Sequence, residues 1–278
     1  MNDRSGLDFR FDTRVAEQYD ALRGHPPRVA QDIGRTIAAH MGERARVLEL
    51  GVGTGRIALP VAAAGCEVHG IDVSSHMLSA LAARIEAAGL ENLCLARGDI
   101  TALPYRERVF DGAIAVHVLH LVSDWPEVLA RVGRLLRPGG TLALGRDWID
   151  PESVAGALRG RFRRTVVEVG TEMLPPGASA AAAPSGGAAI VKALNALGAE
   201  PVGAGERVAA EWRSELTPRR VLDGIRSRDD AESWVLPDDV LAETMRRLDA
   251  FAEREWPDLD APRTVTRRFM LGVFRFAR

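Results

Sequence analysis

Glu49 stands two residues ahead of three glycines at alternate positions, Gly51, Gly53 and Gly55. An apolar run, Val47 to Leu50, leads into this turn, and Arg56 to Ala64 reads as the start of a helix. Strand, glycine turn and helix together bring bare backbone up to a ligand at the carboxyl edge of a sheet. Glycine permits positive φ and has no Cβ in the way. A helix start adds backbone N–H groups aimed at the same place. The dinucleotide fingerprint G-x-G-x-x-G would require glycine at position 56, where this chain has Arg56. Further polar residues with chemical capacity are Asp72, Asp99, His117, His120 and Arg146.

The elements that must carry these residues follow from periodicity. Val15, Ala16, Tyr19 and Leu22 mark one face of a short helix, which Pro26-Pro27 ends. A second helix is expected over Pro27 to Met41, with Val29, Ile33, Ile37 and Met41 inward. Strands are expected at Glu67–Asp72, Leu93–Ala96, Phe110–Val116 and Thr141–Leu144. Helices are expected from about Thr54 to Ala64, after the N-cap Ser74, and from Pro126 to Arg137. This alternation implies a parallel sheet with right-handed crossovers. Glu49, Asp72, Asp99, His117 and Arg146 then all fall at or just past strand ends, where such sheets bind ligands.

Past Asp150 the rhythm changes. Residues 150–200 combine a basic amphipathic stretch, Arg159 to Arg164, with a low-complexity run, Pro175 to Gly187. They read as an insertion with a flexible loop, a lid over the substrate. Strand character follows at Val202–Trp212, helices at Pro218–Arg226 and Pro237–Glu255, and a long strand at Thr264–Phe276. The whole reads as a single domain: an N-terminal helical cover (1–42), a ligand-binding core (43–148), the insertion (150–200) and C-terminal strands and helices (201–278).

Composition narrows the function classes. A formal charge of −2 leaves no basic footprint, so no nucleic-acid partner is expected. No apolar run is long enough for a membrane span, and the first residues lack a signal peptide's apolar segment. Cys66 and Cys94 have neither CxxC nor metal-ligand spacing and read as buried inert thiols, which points to a reducing cytoplasm. No metal is expected: the His117-x-x-His120 pair has no evident third ligand. The sequence leaves the oligomeric state open.

Taken as a set, Glu49-x-Gly51-x-Gly53-x-Gly55, strand-end Asp72, Gly98-Asp99 and Arg137-Pro138-Gly139-Gly140 resemble the class I S-adenosylmethionine-dependent methyltransferases. The set is most similar to the ubiquinone/menaquinone-biosynthesis-type small-molecule branch. The resemblance covers roughly residues 45–147. It implies a Rossmann-like α/β fold with seven strands, mainly parallel, an antiparallel last strand and helices on both faces. It implies S-adenosyl-L-methionine as cofactor and a small-molecule methyl acceptor.

Residue by residue, the resemblance implies that Asp72 receives the two ribose hydroxyls, and that Asp99 and the Ile100 N–H meet adenine. Met77 and Ile100 would wall the adenine, and Gly51 and Gly53 would allow close approach. Glu49 would orient the loop or reach the cofactor's ammonium through water. Tyr19 and Arg23 resemble the N-terminal pair that closes over the methionine end. His117 and His120 sit where this fold presents its acceptor: one could act as a base, or position the backbone, or, for His117, face the cofactor. Two other readings stay open, a non-catalytic S-adenosylmethionine-binding protein and a nicotinamide-dependent dehydrogenase.

Overall fold

Four of the five residues of the first strand, β1 (Arg46–Leu50), are buried, as a strand covered on both faces should be. In this computed structural model, residues 24–173, 187–228, 233 and 236–277 are described. β1 lies between β2 (Glu67–Asp72) and β4 (Phe110–Val116), parallel to both, with Leu50 opposite Ile71 and Ala115. β3 (Leu93–Arg97) continues outward from β2, and β5 (Leu136–Ile149) from β4, again in parallel. The register on β4 shifts between Phe110↔Leu136 and Gly112↔Thr141, so the Arg137-Pro138-Gly139-Gly140 segment bulges out of the ladder. Gly139, at φ 81°, makes that bulge possible.

The sheet order is β3-β2-β1-β4-β5-β8-β6, where β6 is Ala199–Pro201 and β8 is Arg263–Phe276. The order reverses between β1 and β4, which places the ligand crevice of such a sheet after those two strands. β8 runs antiparallel to β5. The Asp150 N–H donates to the Thr266 carbonyl at 3.3 Å, whereas earlier on β5 it is the later Phe269 that lies against Gly145. β6 pairs antiparallel with β8. Among the described residues the sheet has eight strands, because β7 (Arg207–Leu216) pairs with β8 off the main path. The antiparallel last strand is therefore as expected, with one more strand than the seven anticipated.

Local chemistry fixes the helix ends. α1 (Pro27–Met41) starts on a proline and buries Val29, Ile33, Ile37 and Met41. The helix after the glycine turn is shorter than expected: α2 covers only Ala58–Ala63, and residues 51–57 stay as turns. Pro60 explains this, since its ring tolerates only the first turn of a helix. The N–H donors of that helix start thus lie further along the chain than the sequence suggests. α3 (Ser75–Ala88) is capped by Ser74, which accepts from the Met77 N–H at 3.3 Å, and ends on left-handed Gly89. α4 (Trp125–Leu135) buries Val128, Leu129, Val132 and Leu135. Cys66 is buried, and burial pushes its thiol pKa up. Cys94 is exposed rather than buried, because β3 ends the sheet path and its outward positions have no cover.

The chain divides into two compact units, each packed chiefly against itself. The first comprises residues 1–146, 185–210 and 269–278; its core includes Leu48, Leu50, Ile71, Phe110, Leu129 and Phe276. The second comprises residues 147–184 and 211–268. There α5 (Val154–Met173), α7 (Pro218–Arg226) and α8 (Asp238–Glu255) enclose Leu158, Phe162, Val221, Val240 and Leu248. The stretch 150–200, expected as one insertion, is shared out: α5 belongs to the second unit, and α6 (Gly187–Ala196) with β6 to the first. Residues 174–186, most of the low-complexity run, lie outside the described residues, as does the helix expected from Thr13 to Leu22.

Candidate functional site

The glycine turn takes positive φ at each of its glycines: 62° at Gly51, 53° at Gly53 and 83° at Gly55. The reasons differ. A Cβ on Gly51 would stand 2.6 Å from Val118 Cγ2, and one on Gly55 would stand 2.3 Å from Leu81 Cδ1. Protein packing therefore demands both. A Cβ on Gly53 would meet nothing within 4 Å. The middle glycine turns a bare backbone edge towards space that a ligand can fill.

Asp72, at the end of β2, holds this turn. Its Oδ2 accepts the Gly53 N–H at 2.8 Å and its Oδ1 the Ser74 N–H at 2.9 Å. One carboxylate thus ties the glycine turn to the start of α3. A carboxylate offers about four lone-pair sites, more than these two bonds use, so it can also receive hydroxyl groups.

Glu49 is only 3% exposed, and its buried Oε2 has no hydrogen-bond partner among the described residues. Burial drives its pKa well above the usual carboxylate range; the Arg56 charge opposes this and Asp72 adds to it. A buried, unsatisfied carboxylate oxygen is costly unless something arrives to satisfy it. The orphaned oxygen beside an open glycine edge fits a ligand that brings a cation and lies along the backbone.

The neighbouring strand ends contribute the rest. Asp99 follows β3, and its Oδ1 accepts both the N–H and the hydroxyl of Thr101 at 2.8 Å, capping a short 3-10 turn, Ile100–Ala102. Ile100 and Met77 are buried, at 5% and 2% exposure. Gly98 donates to the Asp72 carbonyl at 2.9 Å, which fixes the β3 end against the β2 end. His117 follows β4 in the left-handed region, φ 51°, and is half-buried; His120 is exposed on the next 3-10 turn, Leu119–Leu121. A non-glycine residue held there costs about 1–3 kcal/mol, a strain that clusters at functional sites. An open cavity of about 650 Å³ adjoins the Asp99 turn, lined by Thr101, Ala102, Ser123, Asp124 and Pro126 among others.

Parallel strands in register therefore bring Glu49, Gly51, Gly53, Asp72, Asp99, Ile100 and His117 to one sheet edge, with Met77 in the first turn of α3. Tyr19 and Arg23 lie outside the described residues. Arg146, expected just past a strand end, instead lies within β5, which runs on to Ile149, and is engaged with Glu206 through Nε at 2.7 Å and Nη2 at 2.5 Å. Among the described residues, no group of three or more His, Cys, Asp or Glu is placed to hold a metal, and no helix is long and apolar enough to cross a membrane. The residue that sequence reasoning passed over is Arg56, whose Nη1 lies 3.2 Å from His25 Nε2. Its signal was the cation standing where a dinucleotide loop has its third glycine.

Part of the chain is similar to known proteins. Residues 47–140 match the family described as "Methyltransferase domain". Over 139 residues the chain is 32% identical to an O-methyltransferase of Aspergillus nomiae, covering 48% of this chain and 60% of that protein. Over 101 residues it is 36% identical to the demethylmenaquinone methyltransferase of Thermus thermophilus, covering 36% of this chain and 46% of that protein. The chain thus spans about half the length of the curated relatives it matches. In fold it is similar to phosphoethanolamine N-methyltransferase 2 of Haemonchus contortus, solved in complex with S-adenosyl-L-methionine. That likeness has a TM-score of 0.56 at 16% identity, over 100% of this chain and 60% of the other. Over residues 47–140 the chain is thus similar to a methyltransferase domain.

Proposed function

We propose that the protein transfers a methyl group from S-adenosylmethionine to a small-molecule acceptor. The observation that carries this reading is the buried Glu49, whose Oε2 has no partner among the described residues, with the open backbone edge at Gly53. When bound, the cofactor supplies an electrophilic methyl group on a sulfonium, so the protein's part is placement and exclusion of water. Asp72 receives the ribose hydroxyls while keeping the Gly53 N–H, and Glu49 receives the ammonium. Asp99 and the Ile100 N–H orient the adenine, with Met77 and Ile100 as its apolar walls. His117, and His120 as the second candidate, hold the acceptor's proton where the acceptor must lose one.

Acceptor recognition we assign to residues 150–200 together with the N-terminal cover that carries Tyr19 and Arg23. The family match ends at residue 140, which supports this division of labour. The similarity to a demethylmenaquinone methyltransferase supports the ubiquinone/menaquinone-type branch. The formal charge of −2 supports a partner other than nucleic acid, and the two free cysteines support a cytoplasmic setting. The test pairs titration with S-adenosylmethionine and with NAD against incubation of the protein with labelled methyl donor and a metabolite extract. Tight binding of the first ligand and label in a small molecule is expected. Binding without label transfer would make the protein a cofactor-binding module, and preference for NAD would make it a dehydrogenase.

A further inference from the structure

The glycine turn needs more than its own residues to hold a shape. α2 begins only at Ala58, so residues 51–57 have no helical ladder to order them. Gly51, Gly53 and Gly55 add the residue type with the most backbone freedom to lose. The Gly55 carbonyl accepts the Leu59 N–H at 3.0 Å and so joins the helix start. The Thr54 carbonyl comes one residue earlier, on a residue only 1% exposed. A carbonyl buried there needs a partner from elsewhere.

A side chain supplies that partner. Arg84 Nη1 donates to the Thr54 carbonyl at 2.8 Å. Met77, Leu81 and Arg84 stand at i, i+4 and i+7 on α3 and share one face of it. Met77 and Leu81 are buried, and Arg84 is half-buried at the end of the same stripe. A cation thus stands where helical periodicity calls for an apolar residue. The stripe meets the turn at Leu81 as well, whose Cδ1 would lie 2.3 Å from a Cβ on Gly55. A guanidinium stays charged at any working pH, and a hydrogen bond with one ionised member is among the strong ones. Asp72 holds the Gly53 N–H from the end of β2, and Arg84 holds the carbonyl of the next residue from α3. The open backbone edge at Gly53 is therefore anchored on two sides by two charged side chains.

We infer that Arg84 is a positioning residue for the cofactor, acting through the Thr54 carbonyl: it fixes the glycine turn in its binding shape before the cofactor arrives. This rests on the proposed function. A turn left free to move must be ordered by the ligand, and that ordering is subtracted from the affinity. Loss of Arg84 therefore loosens the turn in the ligand-free protein and weakens cofactor binding. The fold is spared, because Met77 and Leu81 still bury the stripe of α3.

The experiment compares the parental protein with Arg84→Met, Arg84→Gln and Arg84→Lys. Methionine keeps an apolar stem without a donor, glutamine is too short for the carbonyl, and lysine keeps both charge and donor. Hydrogen exchange is followed over residues 51–57 and over α3 in the ligand-free proteins, and S-adenosylhomocysteine is titrated by calorimetry. Arg84→Met and Arg84→Gln should exchange faster in the turn alone and bind about tenfold more weakly, the lower end for a hydrogen bond to a charged group. Arg84→Lys should recover most of both losses. Either donor-less variant suffices if the other does not fold. Parental affinity, or parental exchange in the turn, in a folded donor-less variant overturns the inference. So does faster exchange throughout α3 with a lowered melting temperature, which would make Arg84 a packing residue of that helix. A lysine variant no better than methionine overturns the role of the hydrogen bond. A parental protein that does not bind S-adenosylhomocysteine overturns the proposed function and this inference with it.

Discussion

The Gly53 N–H and the Asp72 carboxylate are joined by a 2.8 Å hydrogen bond between the turn after β1 and the end of β2. One acid thereby sets the shape of the turn and stands at its ligand side. Asp72→Ala should weaken S-adenosylmethionine binding by about 1–3 kcal/mol, the scale of groups left without partners. Calorimetry on the folded variant checks this. Unchanged affinity would reduce Asp72 to a helix-start residue for α3.

Gly51 and Gly53 predict a contrast between two identical substitutions. Alanine at either must adopt positive φ, which costs about 1–2 kcal/mol. At Gly51 the new Cβ also meets Val118 Cγ2 at 2.6 Å, so Gly51→Ala should show the larger drop in melting temperature. At Gly53 the Cβ enters empty space, so the variant should fold but bind cofactor poorly. Parental affinity in Gly53→Ala would mean that the cofactor lies elsewhere.

Glu49 makes the stability of the ligand-free protein depend on pH. Its folded pKa is raised above the ordinary value of 4.5, so the unfolded chain releases this proton first. Stability contributed by the protonated acid is full below that value and is lost as pH rises through the folded pKa. Glu49→Gln should therefore melt higher than the parent at neutral and alkaline pH, with the difference vanishing in acid. Melting curves across pH test it. A variant that melts lower throughout would show that the carboxylate is satisfied in the fold.

His117 holds a left-handed conformation that glycine adopts at no cost. His117→Gly should keep or raise the melting temperature while lowering turnover by about 100-fold, the lower range of a lost general base. Exposed His120→Ala should leave the melting temperature alone. If both variants turn over at the parental rate, the acceptor attacks without a base from this pair.

Much of the cofactor half was legible in the sequence because its signals are local. The strand ending at Leu50, the Ser74 cap, the Gly89 stop and the buried stripe of α1 each depend on a few neighbouring residues, and each stands where periodicity puts it. Parallel pairing then gathers the strand-end acids at one edge, a consequence of alternation that needs no coordinates. Pro60 was visible too, but how far it would shorten α2 was decided by the turn before it. Tertiary structure alone decided that β7 pairs with β8, and that residues 150–200 divide between two packed units. Those are choices among long-range partners, made by which apolar faces meet. The same holds at the site. Glu49, Asp72 and Arg56 are plain in the sequence, but only packing leaves Glu49 Oε2 without a partner among the described residues, gives both Asp72 oxygens a backbone N–H, and seats Arg56 against His25. Burial and partnership are properties of the assembled neighbourhood, and they turn these charged side chains into a site.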